Sequence, residues 1–163
     1  MRDQILKQKF TTLLIGAFAL PMFFAPGTGH AACSDWPGPG VDWTQCRKTS
    51  KVMKSMDFSN ANLEETNFYG SNLSDSNFIG ATLFKAELSS ARLSGASLDG
   101  VNKQKTVGYR AKFDRASLKG AQMEKSEFSR ASFLATDLSG ADLNKSELGR
   151  VHFEHANLTN AKL

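Results

Sequence analysis

The sequence predicts a solenoid wound from five-residue units, and three observations predict it. Apolar residues recur at every fifth position, a row of small residues runs two positions ahead of them, and a second period of twenty overlies the first. Neither an α-helix, with a period of 3.6, nor a flat strand, with a period of 2, accommodates a strict period of five. Repetition of this kind marks a chain whose units bury their apolar residues only by stacking on neighbours.

The central row runs Phe58, Leu63, Phe68, Leu73, Phe78 and onward to Leu148, Phe153, Leu158 and Leu163, broken only by Lys103 and Gly108. The count in fives continues unshifted through the break. Two positions before each centre stand Ala61, Thr66, Ser71, Ser76, Ala81 and their successors to Ala156 and Ala161, short side chains without charge. They make a second inward row with little room. The other three positions of each unit carry Asn, Asp, Ser, Gly, Lys, Arg and Glu, so they face water, and each unit contains a corner.

Written in twenties, the sequence aligns in columns. Gly80, Gly100, Gly120 and Gly140 fall in one, Phe113, Phe133 and Phe153 in another. Lys85, Lys105, Lys125 and Lys145 form a third, and Arg110, Arg130 and Arg150 a fourth. A rule of fives does not produce a period of twenty. It follows if residues twenty apart sit one above another, which requires four units per coil.

Units such as Ala61-Asn62-Leu63, Ala141-Asp142-Leu143 and Ala156-Asn157-Leu158 give the chain its family likeness. Over 56–163 it resembles the pentapeptide repeat family, whose unit is approximated by Ala-Asp/Asn-Leu-X-X. The resemblance implies an all-β fold, a right-handed quadrilateral β-helix. About five and a half coils follow, a rod of roughly 26 Å at ~4.8 Å per coil.

The N-terminal part is of another kind. Arg2, Lys7 and Lys9 precede an apolar run from Leu13 to Phe24, followed by small residues to Ala31 and Ala32. This order describes a secretory signal peptide over 1–32, and the run falls short of the ~20 apolar residues of a membrane span. Cleavage is expected between Ala31 and Cys33. The expected destination is the periplasm, with secretion or lipid attachment at Cys33 as alternatives. For lipidation His30 stands where an aliphatic residue is wanted.

Export bears on the two cysteines. In an oxidising compartment Cys33 and Cys46 are expected to pair, closing a turn-rich loop for about 3 kcal/mol of stabilisation. Residues 33–55 are read as an N-terminal cap, with Trp36 or Trp43 covering the first coil, and 56–163 as the β-helix. At the other end Leu163 occupies an inward position. The resemblance implies end-to-end dimerisation there, a homodimer through the C-terminal end, against a frayed half-coil in a monomer.

Three features are candidates for function. Lys103 and Gly108 remove two apolar plugs from one coil and define a candidate notch for a small ligand or partner, or else a bulge that turns the ammonium to water. The lysine and arginine columns define a candidate binding stripe on neighbouring corners, with Glu87, Glu127 and Glu147 placed to neutralise part of it. His152, Glu154 and His155 are two surface histidines and an acid rather than a metal site, which normally wants four ligands. No metal, cofactor or catalytic residue is assigned.

Composition excludes other classes. The chain has 20 Lys+Arg against 16 Asp+Glu, net +4, and removing Arg2, Lys7, Lys9 and Asp3 with the signal lowers this by two. Some family members resemble DNA in shape and charge and act on DNA gyrase, but that needs an acidic cytoplasmic rod. Nor is the basic face dense enough for nucleic-acid binding. Nucleophile–base groupings and phosphate loops are absent from the sequence. The expectation is an exported, non-enzymatic scaffold docking a protein partner. The alternative is a binder of an anionic envelope component, polymer or lipid, through the stripe.

Overall fold

The computed structural model describes residues 32–102 and 104–163. Residues 1–31 of the predicted signal, and Lys103, lie outside the described residues. Parallel bridges join positions twenty apart along the whole rod, from Asp42↔Asn62 and Arg47↔Asn67 to Ser132↔His152 and Asp142↔Lys162. Each face contributes one isolated bridge per coil rather than a long strand. Among the described residues the coils therefore run 41–60, 61–80, 81–100, 101–120, 121–140 and 141–160.

Most units make their corner in the same way; at Lys51, Met56, Thr106 and Ser126 the amide donates instead to a serine hydroxyl one coil on. The carbonyl of the central residue accepts a hydrogen bond from the amide three positions on, as in Ala61 N to Phe58 O (3.1 Å) and Ala86 N to Leu83 O (3.0 Å). The residue before that amide has positive φ, as in Asn60 and Lys85, which is the mark of a type II turn. Asn or Asp ahead of the centre secures the corner. Asn67 Oδ1 accepts from the amide of Tyr69 at 2.9 Å, and Asp137 Oδ1 from that of Ser139 at 3.0 Å. These side chains bond two residues onward, the local bond that favours Asn and Asp at turns.

Both inward rows are as the sequence predicts. From Phe58 to Leu143 the described central residues other than Gly108 are fully buried apolar groups, and the short row beside them is buried too. Its hydroxyls bond along the rod. Thr66 Oγ1 donates to Trp43 O (2.6 Å), Ser71 to Lys48 O (2.5 Å), Thr106 to Leu83 O (2.9 Å) and Thr136 to Phe113 O (2.7 Å). A hydroxyl is buried cheaply when a carbonyl receives it. Trp43, Phe58, Phe68 and Phe78 form a lower aromatic cluster, and Phe113, Phe128, Phe133 and Phe153 an upper one.

The first coil corrects the expected boundary at 56. Residues 41–55 are not part of a separate cap. They are three further units, with Trp43, Lys48 and Met53 at the central positions. Trp43 is 1% exposed and belongs to the core, whereas Trp36 is 89% exposed and covers nothing. The covering segment is 33–40, tied by the Cys33–Cys46 disulfide, whose Cα atoms lie 5.4 Å apart.

Lys48 explains how a charge can occupy an inward position. With no coil below, its ammonium sits over the Trp43 ring at 3.4 Å and donates to Cys33 O at 2.7 Å. Burial lowers its pKa, the Asp35 carboxylate opposes that, and Lys51 adds to it. At the other end Leu148, Phe153 and Leu158 are only half covered, and Leu163 is 64% exposed.

Candidate functional site: the cationic corners

The lysine column stands where two faces meet, and every member has positive φ: Lys85, Lys105, Lys125 and Lys145. Arg110, Arg130 and Arg150 hold the same position on the next corner, also with positive φ. A left-handed backbone costs an ordinary residue roughly 1–2 kcal/mol, a cost glycine avoids. Another corner of the same rod takes that option, with Gly80, Gly100, Gly120 and Gly140 at positive φ. Side chains on the cationic corners are thus carried at a conformational cost that the fold does not require.

The stripe is not uniform. At its lower end Lys85 Nζ donates to Glu65 Oε1 at 2.7 Å, and Gln45 Nε2 to Glu65 Oε2 at 3.0 Å. Hydrogen bonds from Lys85 and then Gln45 hold the Glu65 carboxyl below its ordinary value, and Glu65 in turn raises Lys85. Among the described residues, Lys105, Lys125, Lys145, Arg110, Arg130 and Arg150 have no ion pair. Aromatic rings lie beneath part of both columns. Lys85 and Lys105 are 5.2 and 5.7 Å from the Phe84 centroid, and Arg110 and Arg130 are 5.2 and 5.9 Å from that of Tyr109.

The expected neutralisation by Glu87, Glu127 and Glu147 is not found. Apart from His152–Glu154, the ion pairs among the described residues run along the rod, between side chains about one coil apart. Glu87 instead accepts from the amide of Ser89 at 2.7 Å. Glu127 and Glu147 bridge each other on the exposed face between the two corners.

Gly108 does not form a notch. A Cβ placed on it would lie 2.6 Å from Phe128 Cδ1 and 2.8 Å from Cε1. The ring of the coil above has taken the space, edge-on to Phe113 and Phe133 at centroid distances of 5.8 and 5.6 Å. The other half of that candidate, Lys103, lies outside the described residues. On either side of it the ladder is intact, through Leu83 N to Asn102 O (3.0 Å) and Lys105 N to Glu124 O (3.1 Å).

His152 Nδ1 meets Glu154 Oε1 at 3.1 Å on the open surface. Among the described residues no group of three or more His, Cys, Asp and Glu side chains could hold a metal ion. Among them, too, no helix is long and apolar enough to cross a membrane.

Comparison with known proteins agrees with this architecture. The family model for pentapeptide repeats matches in eight copies over residues 57–95, 86–124, 109–144 and 136–163. The chain belongs to the pentapeptide repeat family. Membership implies the right-handed sense of the β-helix. Among solved structures it is similar to the pentapeptide repeat protein Rfr23 of the cyanobacterium Cyanothece 51142, at 20% identity over 74% of this chain and 90% of that one, TM-score 0.42. Another is HetL of Nostoc sp. strain PCC 7120, involved in heterocyst differentiation regulation, at 19% identity over 76% and 78%, TM-score 0.34. A third is the plasmid-mediated fluoroquinolone resistance protein QnrB1, at 17% identity over 69% and 77%, TM-score 0.41. Comparison with curated proteins returns no match.

Proposed function

We propose that this pentapeptide repeat rod is an exported, non-enzymatic scaffold that docks a protein partner in the cell envelope. One observation carries the reading. Six cations on two neighbouring corners stand in left-handed turns without ion-pair partners among the described residues, on a rod where another corner carries glycine through four successive coils, Gly80 to Gly140. Conformational strain kept where the fold does not need it points to use. Residues one coil apart repeat at the ~4.8 Å spacing of a strand ladder, so the corners present charge at fixed intervals to an acidic surface. The basic segment, the apolar run to Phe24 and the paired cysteines support export.

The test is a pull-down from envelope extract with the chain from Ala32, beside a Lys105→Glu/Lys125→Glu/Lys145→Glu variant. Capture by the native chain and loss by the variant is the expected result. Capture by both sinks the role of the corners, and capture by neither sinks protein docking. The second reading, an anionic envelope polymer, rests on the same unpaired cations and is read by salt-sensitive retention on a polyanionic matrix when no protein is captured. A homodimer through the half-covered C-terminal coil belongs to the same proposal, and sedimentation of that sample reads it.

A further inference from the structure

The repeat assigns polar or small side chains to its outward columns, and it is obeyed least at the N-terminal end. Val52 heads a column that continues as Asn72, Arg92, Lys112, Ser132 and His152, yet it is an aliphatic residue 80% exposed. Trp36 lies beside it at 89%, on the covering segment 33–40 but with its own side chain left open. Together with Pro37 and Met53 they line one shallow depression of about 260 Å³, with Lys48, Lys51 and Asp35 also at its walls. Met56 is a further exposed apolar residue of this coil.

Exposed cations share the first coil with these groups. Arg47, Lys51 and Lys54 all face water on the first coil. Lys54 is 3.3 Å from Asp75, in a pair that is itself more than half exposed, and Asp35 is the carboxylate nearest the depression. The segment bearing Trp36 is held in place beforehand by the disulfide and by the Lys48–Cys33 hydrogen bond. Little ordering is therefore left for binding to supply.

We infer that this end of the rod docks on an anionic lipid bilayer, with Trp36 and Val52 entering the headgroup region and Lys51, Lys54 and Arg47 facing the phosphates. An indole with one wet end and one apolar body suits that interface. Few apolar residues with a ring of cations is the composition of a surface-bound rather than a spanning element. Binding then depends jointly on apolar burial and on attraction to anionic headgroups. The inference does not rest on the cationic corners, which lie on higher coils.

The experiment uses residues 32–163, because the core and the disulfide lie within them and the apolar run before Phe24 would bind vesicles by itself. The chain is floated with phosphatidylcholine vesicles with and without phosphatidylglycerol, and tryptophan emission is followed. Trp43 is already buried, so a blue shift reports Trp36. Binding is expected only with phosphatidylglycerol, weakened roughly tenfold by Trp36→Ala and at least as much by Lys51→Glu/Lys54→Glu. Trp36→Ala leaves the fold intact, since the side chain is almost wholly exposed. The Lys105→Glu/Lys125→Glu/Lys145→Glu variant is expected to bind as the native chain does. Absence of binding, equal binding to neutral vesicles, or binding lost only in the corner variant would overturn the inference. Retention by both the Trp36→Ala and the Lys51→Glu/Lys54→Glu variants would overturn it as well.

Discussion

The interior and the corners of this rod use the same twenty-residue spacing to opposite ends. Inside, each side chain is limited by the one a coil away: Phe113, Phe133 and Phe153 stack at 4.9 and 5.5 Å, and Phe128 bends into the place that Gly108 leaves. Outside, the column Gln45, Glu65, Lys85, Lys105, Lys125, Lys145 passes from a neutralised ladder to a run of like charges without disturbing the backbone. The difference teaches where information is stored. The interior encodes the fold, and the corners are free to encode contacts.

The sharpest way to break the contrast is Gly108→Leu. Overpacking of a closed core costs typically 1–3 kcal/mol and more where backbone blocks relief, so a loss of about 3 kcal/mol is expected in urea unfolding. Adding Phe128→Leu should recover much of it, because Leu88 and Leu148 show that leucine suits this column. No recovery would mean that Phe128 is not what Gly108 accommodates.

A middle-sized effect is expected in the second inward row. Thr136→Val keeps the shape but leaves Phe113 O without the hydroxyl that reaches it at 2.7 Å. A loss of about 1–2 kcal/mol in the unfolding midpoint analysis is expected. A neutral result would show that the row is chosen for size alone.

The smallest effect belongs to the outer surface and emerges only in acid. Amide and hydroxyl hydrogen bonds from Ser139, with Lys119 nearby, lower the pKa of Asp137. A carboxyl depressed in the folded state adds stability above its unfolded pKa, near 3.9 for Asp, and that stability is lost as pH falls through the folded value. Asp137→Asn keeps an acceptor for the Ser139 amide and removes the titration. Its stability should lie slightly below that of the native chain at neutral pH, and the two should converge below about pH 4 because the variant has no such contribution to lose. Equal acid slopes in the two proteins would remove Asp137 from the account.

Sequence reasoning reached what depends on period and missed what depends on neighbours. The two inward rows and the four-unit coil follow from spacing alone, and both are present. The first coil was hidden because Trp43, Lys48 and Met53 keep the register of five but not the Leu/Phe identity. Counting backwards from Phe58 would have found it. A lysine at an inward position reads as a break until the end of the rod, and Cys33 O, are seen to receive it. Gly108 reads as a vacancy because a sequence shows the side chain that is missing, not the one that leans over from twenty residues on. The ion pairs were sought two residues along the chain, although the columns already placed their partners one coil away.

The unit of five inside a coil of twenty also sets how such a rod can be edited. Insertion of a whole coil would leave every column in line. Insertion of a single unit would keep each inward residue inward but rotate everything beyond it by a quarter turn. The lysine corner would then continue upward as a different corner, with the core still closed. Surface patterns on this fold can be spliced and offset around the axis in quarter turns, with only the inward side chains at the splice meeting new neighbours.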